Sequence, residues 1–348
     1  MSELREDCTT RDWVIIAPER AKRPHNRPKG GLADGPPRWE RSCPFCPGNE
    51  SQTPQEVFRV PLPGRVSAWA ARVVPSRFAA LTLDGTTARI GGSYFFHKMD
   101  GIGVHEVIIE TPLHNATMAL MSYQQVEEVL AAYQQRYNVL KKRRQFKFIT
   151  IFKNHGWASG TSLVHPHSQL VAAPIVAPYY RRKFDVAFYH YDNFRRCLYC
   201  DLLTSELERG ARIVAETKQF VVFHPYASHV PWETWIIPKE HHASFGLSPP
   251  THLTELAMVL KDSLLCLYRG LGNPDFNLMI DTASTEEEKN PYYHWHIRIM
   301  PRLTAIAGFE IGSGIYISTA LPEDTARLMK QIANSCAEDE CLSFKQKV

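Results

Sequence analysis

The sequence predicts an α+β protein made of two similar halves, each a mainly antiparallel sheet with one long helix against it. The prediction rests first on a pattern that occurs twice, Cys-x-x-Cys followed by one His and then by His-x-His. The first copy consists of Cys43, Cys46, His114, His165 and His167, and the second of Cys197, Cys200, His241, His294 and His296. The residues before the middle histidine also repeat, as HEVIIETPLH and WETWIIPKEH. Such a repeat indicates a duplicated structural unit.

The order of predicted elements in the first half is strand, strand, helix, strand. Runs of β-branched and aromatic residues predict strands at 72–75, 105–109 and 146–152. Residues 122–140 have apolar side chains at helical spacing, and Ser122 is suited to cap the start of that helix.

The second half repeats this order. Strands are predicted at 220–223 and 234–237, followed by a helix at 250–269. Further strands are predicted at 277–280 and 294–300. The repeated order is the second observation that favours two α+β units.

These elements divide the chain into two domains. Residues 1–175 form the predicted N-terminal domain, with the first metal site and the catalytic histidine, and residues 190–348 form the C-terminal domain with the second metal site. Residues 174–196 are predicted to link them. The Pro-, Gly- and Arg-rich residues 22–42 are predicted to form a surface loop.

Composition restricts the class of protein. The chain has 348 residues, is 44% hydrophobic and carries a formal net charge of +4, which is too small for a general nucleic-acid-binding surface but suits an anionic substrate. The first residues are charged and interrupted by Pro18, unlike a signal peptide, and no apolar run has the length of a membrane span. Eight cysteines without a secretion signal favour metal-bound thiolates in a reducing cytoplasm over disulfides.

Each copy of the pattern supplies two thiolates and two imidazoles, the ligand set of a closed tetrahedral zinc site. The predicted ligands are Cys43, Cys46, His114 and His165 in the first site and Cys197, Cys200, His241 and His294 in the second. A single Cys-x-x-Cys is equally compatible with a redox pair or with two buried small residues. The matched histidines in both copies favour zinc. Because all four positions are filled by protein, the zinc is predicted to be structural.

One histidine of each final pair is left over, and His167 is the predicted nucleophile. It follows residues 154–162, a loop whose glycines and hydroxyl side chains suit an anion. If His165 binds zinc, an alternating strand places His167 on the same face. The alternative for His167 is a satisfied core histidine. In the second copy, the loop before His296 contains three consecutive glutamates that would repel a phosphate, so that copy is predicted to be a scaffold.

Several segments together resemble the galactose-1-phosphate uridylyltransferase branch of the histidine-triad superfamily, which also includes ADP-glucose phosphorylase. The segments are residues 12–15, residues 18–24, CPFCPGNE, residues 154–169 with the motif His-Pro-His-x-Gln, IIPKEH, and GFEIGSGIY at residues 308–316. The resemblance covers nearly the whole chain and implies two histidine-triad-like repeats. Hydrolases of the superfamily have a third His at the position of Gln169, so Gln169 favours transfer to a phosphate rather than to water.

The resemblance implies a ping-pong exchange of UMP between UDP-glucose and galactose 1-phosphate through uridylyl-His167, a step of the Leloir pathway of galactose metabolism. It implies a homodimer and one or two zinc ions per chain. By family position, Arg20 and Arg23 hold nucleotide phosphates, and Asn154, Ser162 and Gln169 contact the transferred phosphoryl group. Phe309 and Glu310 help to form the hexose pocket. As alternatives, the two arginines are solvated surface charges and Glu310 is a carboxylate at a strand end.

Two other functions remain open at this stage. Ser76-Arg77 stands where the family often has Asn in the nucleotide pocket, and Cys197 and Cys200 are absent from some members; the chain in this respect resembles the branch with ADP-glucose phosphorylase, which transfers adenylyl to inorganic phosphate. A more distant alternative is a zinc-stabilised nucleic-acid-binding protein that uses the basic residues 141–144. Such a run more often ends a helix, where cations are favoured.

Overall fold

The computed structural model of the chain describes residues 1–22, 36–62, 65–91 and 94–339. Arg23 and most of the predicted surface loop at 22–42 lie outside these residues. The strands, in chain order, are β1 (Glu3–Glu6), β2 (Trp13–Ile16), β3 (Phe58–Leu62), β4 (Arg65–Pro75), β5 (Ile90–Gly91), β6 (His97–Lys98), β7 (Val104–Ile109), β8 (Phe148–His155), β9 (His167–Ala173), β10 (Ile213–Glu216), β11 (Phe220–Phe223), β12 (Thr234–Pro238), β13 (Phe276–Asp281), β14 (His296–Pro301) and β15 (Tyr316–Ser318).

The described residues also form six α-helices. They are α1 (Tyr123–Leu140), α2 (Pro178–Phe194), α3 (Leu198–Arg209), α4 (Pro250–Leu271), α5 (Gly308–Ser313) and α6 (Pro322–Asp339). Short 3-10 turns lie at Pro18–Lys22, Glu50–Gln52, Met118–Leu120, Trp157–Ser159 and Phe245–Leu247.

The main sheet has ten strands in the order β10-β11-β12-β14-β13-β8-β9-β7-β4-β3, and all its neighbours are antiparallel. The sheet has two equivalent halves on either side of the central β13–β8 pair. From the centre outward, the strands of the second half follow the order β13-β14-β12-β11-β10, which corresponds strand by strand to β8-β9-β7-β4-β3 in the first half. The two central strands pair with each other, for example Asn277 with Asn154. The predicted duplicated α+β fold is therefore confirmed, and its two sheets are continuous. The division into two domains stays a prediction.

One face of the sheet is covered by the two long helices, as predicted. Helix α1 covers the first half and α4 the second, and the two helices also contact each other. Ser122 caps α1 through its side chain, and Gln125 completes a capping box. The main hydrophobic core lies between these helices and the sheet. At the other end of α1, Lys141 is the C-cap and pairs with Glu288, which supports the helix-end interpretation of the basic run.

The opposite face of the sheet differs between the halves. In the second half it is covered by α2 and α3, which form a separate core with β11, β12 and Phe148 of β8. In the first half it carries the segment around Cys43 and Cys46, packed on β4 and β7. Residues 174–196, predicted only to link the halves, thus contain a packed helix.

A second, three-stranded sheet joins the chain ends. Strand β2 pairs antiparallel with β1 and parallel with β15. This small sheet packs on the second half: Arg5 binds Glu323 of α6 and the Tyr226 carbonyl oxygen, and His229 stacks on Tyr316. A two-stranded ribbon, β5-β6, completes the strands. None of the helices in the described residues is both long enough and apolar enough to span a membrane.

Candidate active site and metal centres

The first predicted metal cluster is assembled as the spacing indicated. Cys46 Sγ lies 3.5 Å from His114 Nδ1 and 3.6 Å from His165 Nδ1, and Cys43 Sγ lies 3.7 Å from His165 Nδ1. A tetrahedral zinc with ordinary bond lengths separates its sulfur and nitrogen ligands by about 3.6 Å. All four residues are buried. The donor set and its dimensions therefore fit one zinc ion.

The second cluster has the same form at the corresponding place in the other half. Cys200 Sγ lies 3.4 Å from His241 Nδ1 and 3.5 Å from His294 Nδ1, and Cys197 completes the group. In both clusters Nδ1 is the nitrogen that faces the sulfurs. Both copies of the sequence pattern thus form a Cys₂His₂ group that could hold a metal.

His165 connects the first cluster to His167. Its Nε2–H donates to the Thr111 carbonyl oxygen at 2.7 Å, which fixes the ring with Nδ1 toward the cysteines. Burial lowers the pKa of His165 to about 4, so at neutral pH it is the uncharged imidazole that coordinates metals. The strand β9 begins only at His167, so the predicted alternation along one strand was wrong as the reason for their proximity. The link is instead a hydrogen bond.

That hydrogen bond joins His167 Nδ1 to the His165 carbonyl oxygen at 2.9 Å. Because a carbonyl can only accept, the proton of neutral His167 is on Nδ1, and Nε2 carries the lone pair. Within the described residues no hydrogen bond reaches Nε2. The side chain is buried, with 7% of the residue exposed, and Phe45 contacts the edge of its ring. Burial, with Lys153 nearby, lowers the pKa of His167, so the ring is neutral at pH 7.

A buried ionic network, not detected from the sequence, holds the backbone of His167. Lys153 Nζ donates to the His167 carbonyl oxygen at 3.2 Å and to Glu110 at 2.7 Å. Ser168 donates to the same carboxylate, and the Tyr133 hydroxyl bonds both. Lys153 and Glu110 are almost fully buried, where an unpaired charge is costly, so the pair restrains the start of β9.

The loop at 154–162 is shaped by the second half of the chain. Gly156 has a φ of 78°, and a Cβ there would lie 1.8 Å from Asp275, so only glycine fits. The other carboxylate oxygen of Asp275 accepts from the Ala158 N–H at 2.6 Å. Asn277 donates to the Ser159 carbonyl oxygen at 2.9 Å. The sequence could not reveal these contacts, since they join residues more than a hundred positions apart.

Two predicted phosphoryl contacts, Asn154 and Gln169, are held by their oxygen atoms. Asn277 donates to Asn154 Oδ1 at 2.7 Å, and His105 Nε2–H donates to Gln169 Oε1 at 2.8 Å. The tautomer of His105 is set by the Ala80 N–H, which donates to its Nδ1. In both amides the NH₂ group therefore remains available to donate to an anion. The third predicted contact, Ser162, is exposed on the loop before His165.

The other predicted substrate contacts lie elsewhere. Arg20 is exposed on the 3-10 turn after β2, and Phe309 and Glu310 lie on α5, which precedes β15. Both segments belong to the small sheet on the second half. No described hydrogen bond, ion pair or ring contact joins these residues to His167. Glu310 is in a helix, where it accepts from the Ala307 N–H, so the strand-end interpretation was wrong.

In the second copy, His296 has the same position as His167 but a filled surrounding. Its Nδ1 bonds the His294 carbonyl oxygen at 3.1 Å, as His167 bonds His165. Its Nε2 lies 3.3 Å from both Asp281 and Lys183, which are fully buried. Arg298 also binds Asp281 at 2.7 Å. Burial, together with Lys183, lowers the pKa of His296 to about 4.

The structure thus gives a different reason for the expected loss of the second site. The three glutamates before His296 are engaged elsewhere: Glu286 pairs with Lys147, Glu288 pairs with Lys141, and Glu287 accepts from the Tyr292 hydroxyl. Instead, Lys183 of α2 occupies the space in front of the ring. The reason given by the sequence, repulsion of phosphate by this loop, is therefore replaced by burial of His296, whose exposed fraction is 0%; the scaffold role of the second copy stays a prediction.

Comparison with known proteins agrees with this arrangement. Residues 1–177 match the family model "Galactose-1-phosphate uridyl transferase, N-terminal domain". The ADP-glucose phosphorylase of Arabidopsis thaliana is 33% identical over 337 residues, covering 95% of this chain and 93% of that protein. The galactose-1-phosphate uridylyltransferase of Thermotoga maritima is 28% identical over 340 residues, covering 95% and 98%.

A solved structure of the Arabidopsis ADP-glucose phosphorylase with bound ADP-glucose is also similar, with a TM-score of 0.81 and 31% identity over 95% of this chain and 99% of that one. The match of the family model to half of the chain and the similarity along nearly all of it lead to one conclusion. This chain belongs to the galactose-1-phosphate uridylyltransferase family of nucleotidyltransferases.

Proposed function

We propose that the protein transfers a nucleotidyl group from a nucleoside diphosphate hexose to a phosphate acceptor, with His167 as the nucleophile. The supporting observation is the hydrogen bond from His167 Nδ1 to the His165 carbonyl oxygen, which leaves the Nε2 lone pair free. In the first step, Nε2 forms a bond to the α-phosphorus and the bond from that phosphorus to the bridging oxygen breaks. The hexose 1-phosphate leaves with the electron pair, and nucleotidyl-His167 remains.

The surroundings of His167 suit this step. The ring gains positive charge as the N–P bond forms, and the His165 carbonyl oxygen stabilises that charge through the Nδ1–H. The amide groups of Asn154 and Gln169 donate to the non-bridging oxygens of the phosphoryl group, and the Ser162 hydroxyl adds a third donor. The two amides are held by their oxygen atoms before the substrate arrives, so these donors need little reorganisation during the reaction.

In the second step an oxygen of the acceptor phosphate attacks the same phosphorus and releases His167. The acceptor is already an anion at neutral pH, so no general base is required. A site with one free imidazole is therefore sufficient for both transfer steps. A water molecule, by contrast, would have to lose a proton, and Gln169 cannot accept one.

The metal clusters have a structural role in this proposal. Cys43, Cys46, His114 and His165 would hold one zinc and the second cluster another; a bound zinc supplies rigid coordination rather than activated water, since protein ligands fill all four positions. His165 then presents a fixed carbonyl oxygen to His167.

The nucleotide and acceptor define two candidate activities. The motif-based prediction is exchange of UMP between UDP-glucose and galactose 1-phosphate, and the Thermotoga relative carries that name. The higher identity and the high TM-score of the Arabidopsis ADP-glucose phosphorylase favour transfer of adenylyl from ADP-glucose to inorganic phosphate. We place ADP-glucose phosphorolysis first and uridylyl exchange second.

The decisive experiment offers the protein ADP-glucose and UDP-glucose separately, each labelled in the α-phosphate and without an acceptor. The productive substrate should leave a label that is lost in acid, is retained in alkali and maps to the peptide with His167. Adding phosphate or galactose 1-phosphate to the labelled protein then identifies the acceptor. Turnover without labelled protein would contradict the covalent route, and no turnover with either sugar would contradict both activities.

We further propose that a second copy of the chain completes the site. Arg20, Phe309 and Glu310 lie on segments next to the small sheet that packs on the second half, and in this proposal they serve as substrate contacts in the site of a homodimer partner. Mixing the inactive variants His167→Ala and Phe309→Ala and allowing subunit exchange should restore activity, because one site of the mixed dimer is then intact. If each chain forms its own complete site, the mixture stays inactive. Cytoplasmic location stays a prediction.

A further inference from the structure

We infer that Glu240, His242 and His252 form a third metal site, for a divalent transition ion such as Zn²⁺, on the surface of the second half. Their candidate ligand atoms all lie within 4.8 Å of one another. The Glu240 carboxylate is 3.6 Å from His242 Nε2 and 3.9 Å from His252 Nε2. The inference does not depend on the proposed function.

The local fold separates this group from the second Cys₂His₂ cluster. His241 and His242 are neighbours in the segment after β12. His241 faces Cys200, whereas His242 faces the first turn of α4, where His252 lies with the two rings 5.6 Å apart. The two clusters therefore use different side chains.

The hydrogen bonding of His242 is incomplete at the nitrogen that a ligand site requires. His242 Nε2, which faces Glu240, is buried and has no hydrogen-bond partner within the described residues, whereas in His252 the nitrogen that faces Glu240 is Nε2. His252 is more than nine-tenths buried. A buried imidazole nitrogen without a partner is costly, and a metal ion that accepts its lone pair removes that cost. The nearby Glu255 is engaged with the Gln219 N–H and is not counted as a ligand.

The donor set indicates the class of ion. Two imidazoles and one carboxylate are a ligand set of zinc sites that keep a fourth position for water or another small ligand. Imidazole ligands favour Zn²⁺, Ni²⁺ or Cu²⁺ over Mg²⁺ and Ca²⁺, which prefer oxygen. A tetrahedral zinc separates oxygen and nitrogen ligands by about 3.4 Å. Glu240 needs only a small movement to reach that distance, and its side chain is 70% exposed.

The test is metal stoichiometry of the whole protein after equilibration with excess Zn²⁺ and removal of unbound ion. The wild type should bind three equivalents, one for each cluster. Glu240→Gln and His242→Ala should each bind two, with normal folding, and His252→Ala should do the same. His97→Ala is the matched control, because His97 is exposed and lies outside all three clusters, and it should retain three.

Co²⁺ substitution identifies which equivalent is lost. The two cysteine clusters give strong sulfur-to-cobalt charge-transfer absorption, whereas a site of histidine and carboxylate gives only weak ligand-field bands. The variants should lose a ligand-field component and keep the full charge-transfer intensity. A wild type that binds only two equivalents, or a Glu240→Gln protein that still binds three, would overturn the inference. Since Glu240 is exposed, its variant remains informative even if His252→Ala fails to fold.

Discussion

His167 and His296 occupy the same position in the two halves, yet their Nε2 atoms have different surroundings. Each begins the fifth and last main-sheet strand of its half, and each bonds the carbonyl oxygen of a histidine in a Cys₂His₂ cluster, at 2.9 and 3.1 Å. They differ at Nε2, which has no described hydrogen bond in His167 and faces Lys183 and Asp281 in His296. The same Cys₂His₂ scaffold therefore leaves Nε2 without a described hydrogen bond in one half and engages it in a buried ionic cluster in the other.

The strand register shows which residues made this difference. Met279 pairs with Arg298 in the second half as Phe152 pairs with Gln169 in the first, so Gln169 corresponds to Arg298. Asp281 pairs with His296, and continuing the register of the first half places Asn154 opposite His167. The positions of the two uncharged amides, Asn154 and Gln169, are thus occupied in the second half by an ion pair, Asp281 and Arg298. Helix α2 adds Lys183 to that ion pair and covers this face of the sheet in the second half.

Replacing each of the two histidines in turn should give the largest difference in kcat between the two halves. We expect His167→Ala to lower kcat by about 10⁴-fold or more, as removal of a catalytic nucleophile does elsewhere. His296→Ala should keep nearly all of the specific activity of the folded fraction, although it loses stability. The measurements are steady-state rates, zinc content and thermal unfolding. If His167→Ala keeps most of its activity, or His296→Ala loses as much, the assignment of roles is wrong.

Removing one cysteine from each cluster should separate stability from catalysis. Cys43→Ser and Cys200→Ser should each lose one equivalent of zinc. Each should also lower the free energy of unfolding by several kcal/mol, on the order of half of what zinc contributes to the folding of a zinc finger. Cys43→Ser should also lower kcat, because His165 then no longer fixes the carbonyl oxygen that orients His167. Cys200→Ser should retain most of the transfer rate. Equal losses of rate in both variants would contradict a purely structural second cluster.

Lys183 should matter for stability and not for chemistry. Lys183→Ala leaves Asp281 buried with fewer partners, and we expect the free energy of unfolding to fall by about 3 kcal/mol. The matched control is Lys147→Ala, which breaks a partly exposed pair with Glu286 and should cost less than about 1 kcal/mol. Denaturant unfolding checks both values. Similar costs for the two variants would show that the filled site in the second half is not a source of stability.

The smallest effect tests how the second half supports the first. Asp275→Ala removes the acceptor of the Ala158 N–H and should displace the loop at 154–162, lowering kcat by about 10²-fold with little change in KM or zinc content. Asp275→Asn keeps an acceptor oxygen and should restore most of the rate. Asp324→Ala, a change in an exposed ion pair, is the control and should have no effect. A loss that Asn does not rescue would indicate a different role for Asp275.

Much of the fold could be predicted because it depends on local patterns. The helix at 122–140 and its Ser122 cap follow from spacing and a capping residue, and the strands at 105–109 and 220–223 follow from β-branched runs. The start of β14 at His296 rather than at residue 294 was missed, because His294 points into the metal cluster and leaves the ladder. Helix α2 was missed because its buried face is set by packing on the second half.

For the candidate site, the sequence by itself determined which side chains can meet: two Cys₂His₂ groups, a spare histidine beside each, and a glycine-rich loop. These follow from residue types and their spacing, which the duplicated unit preserves. Only the tertiary structure decided which spare histidine has a free Nε2 among the described hydrogen bonds, that Lys183 lies against the other, and that Asp275 and Asn277 hold the loop at 154–162. The physical reason is that burial and ion pairing depend on contacts between distant segments, which no local pattern contains.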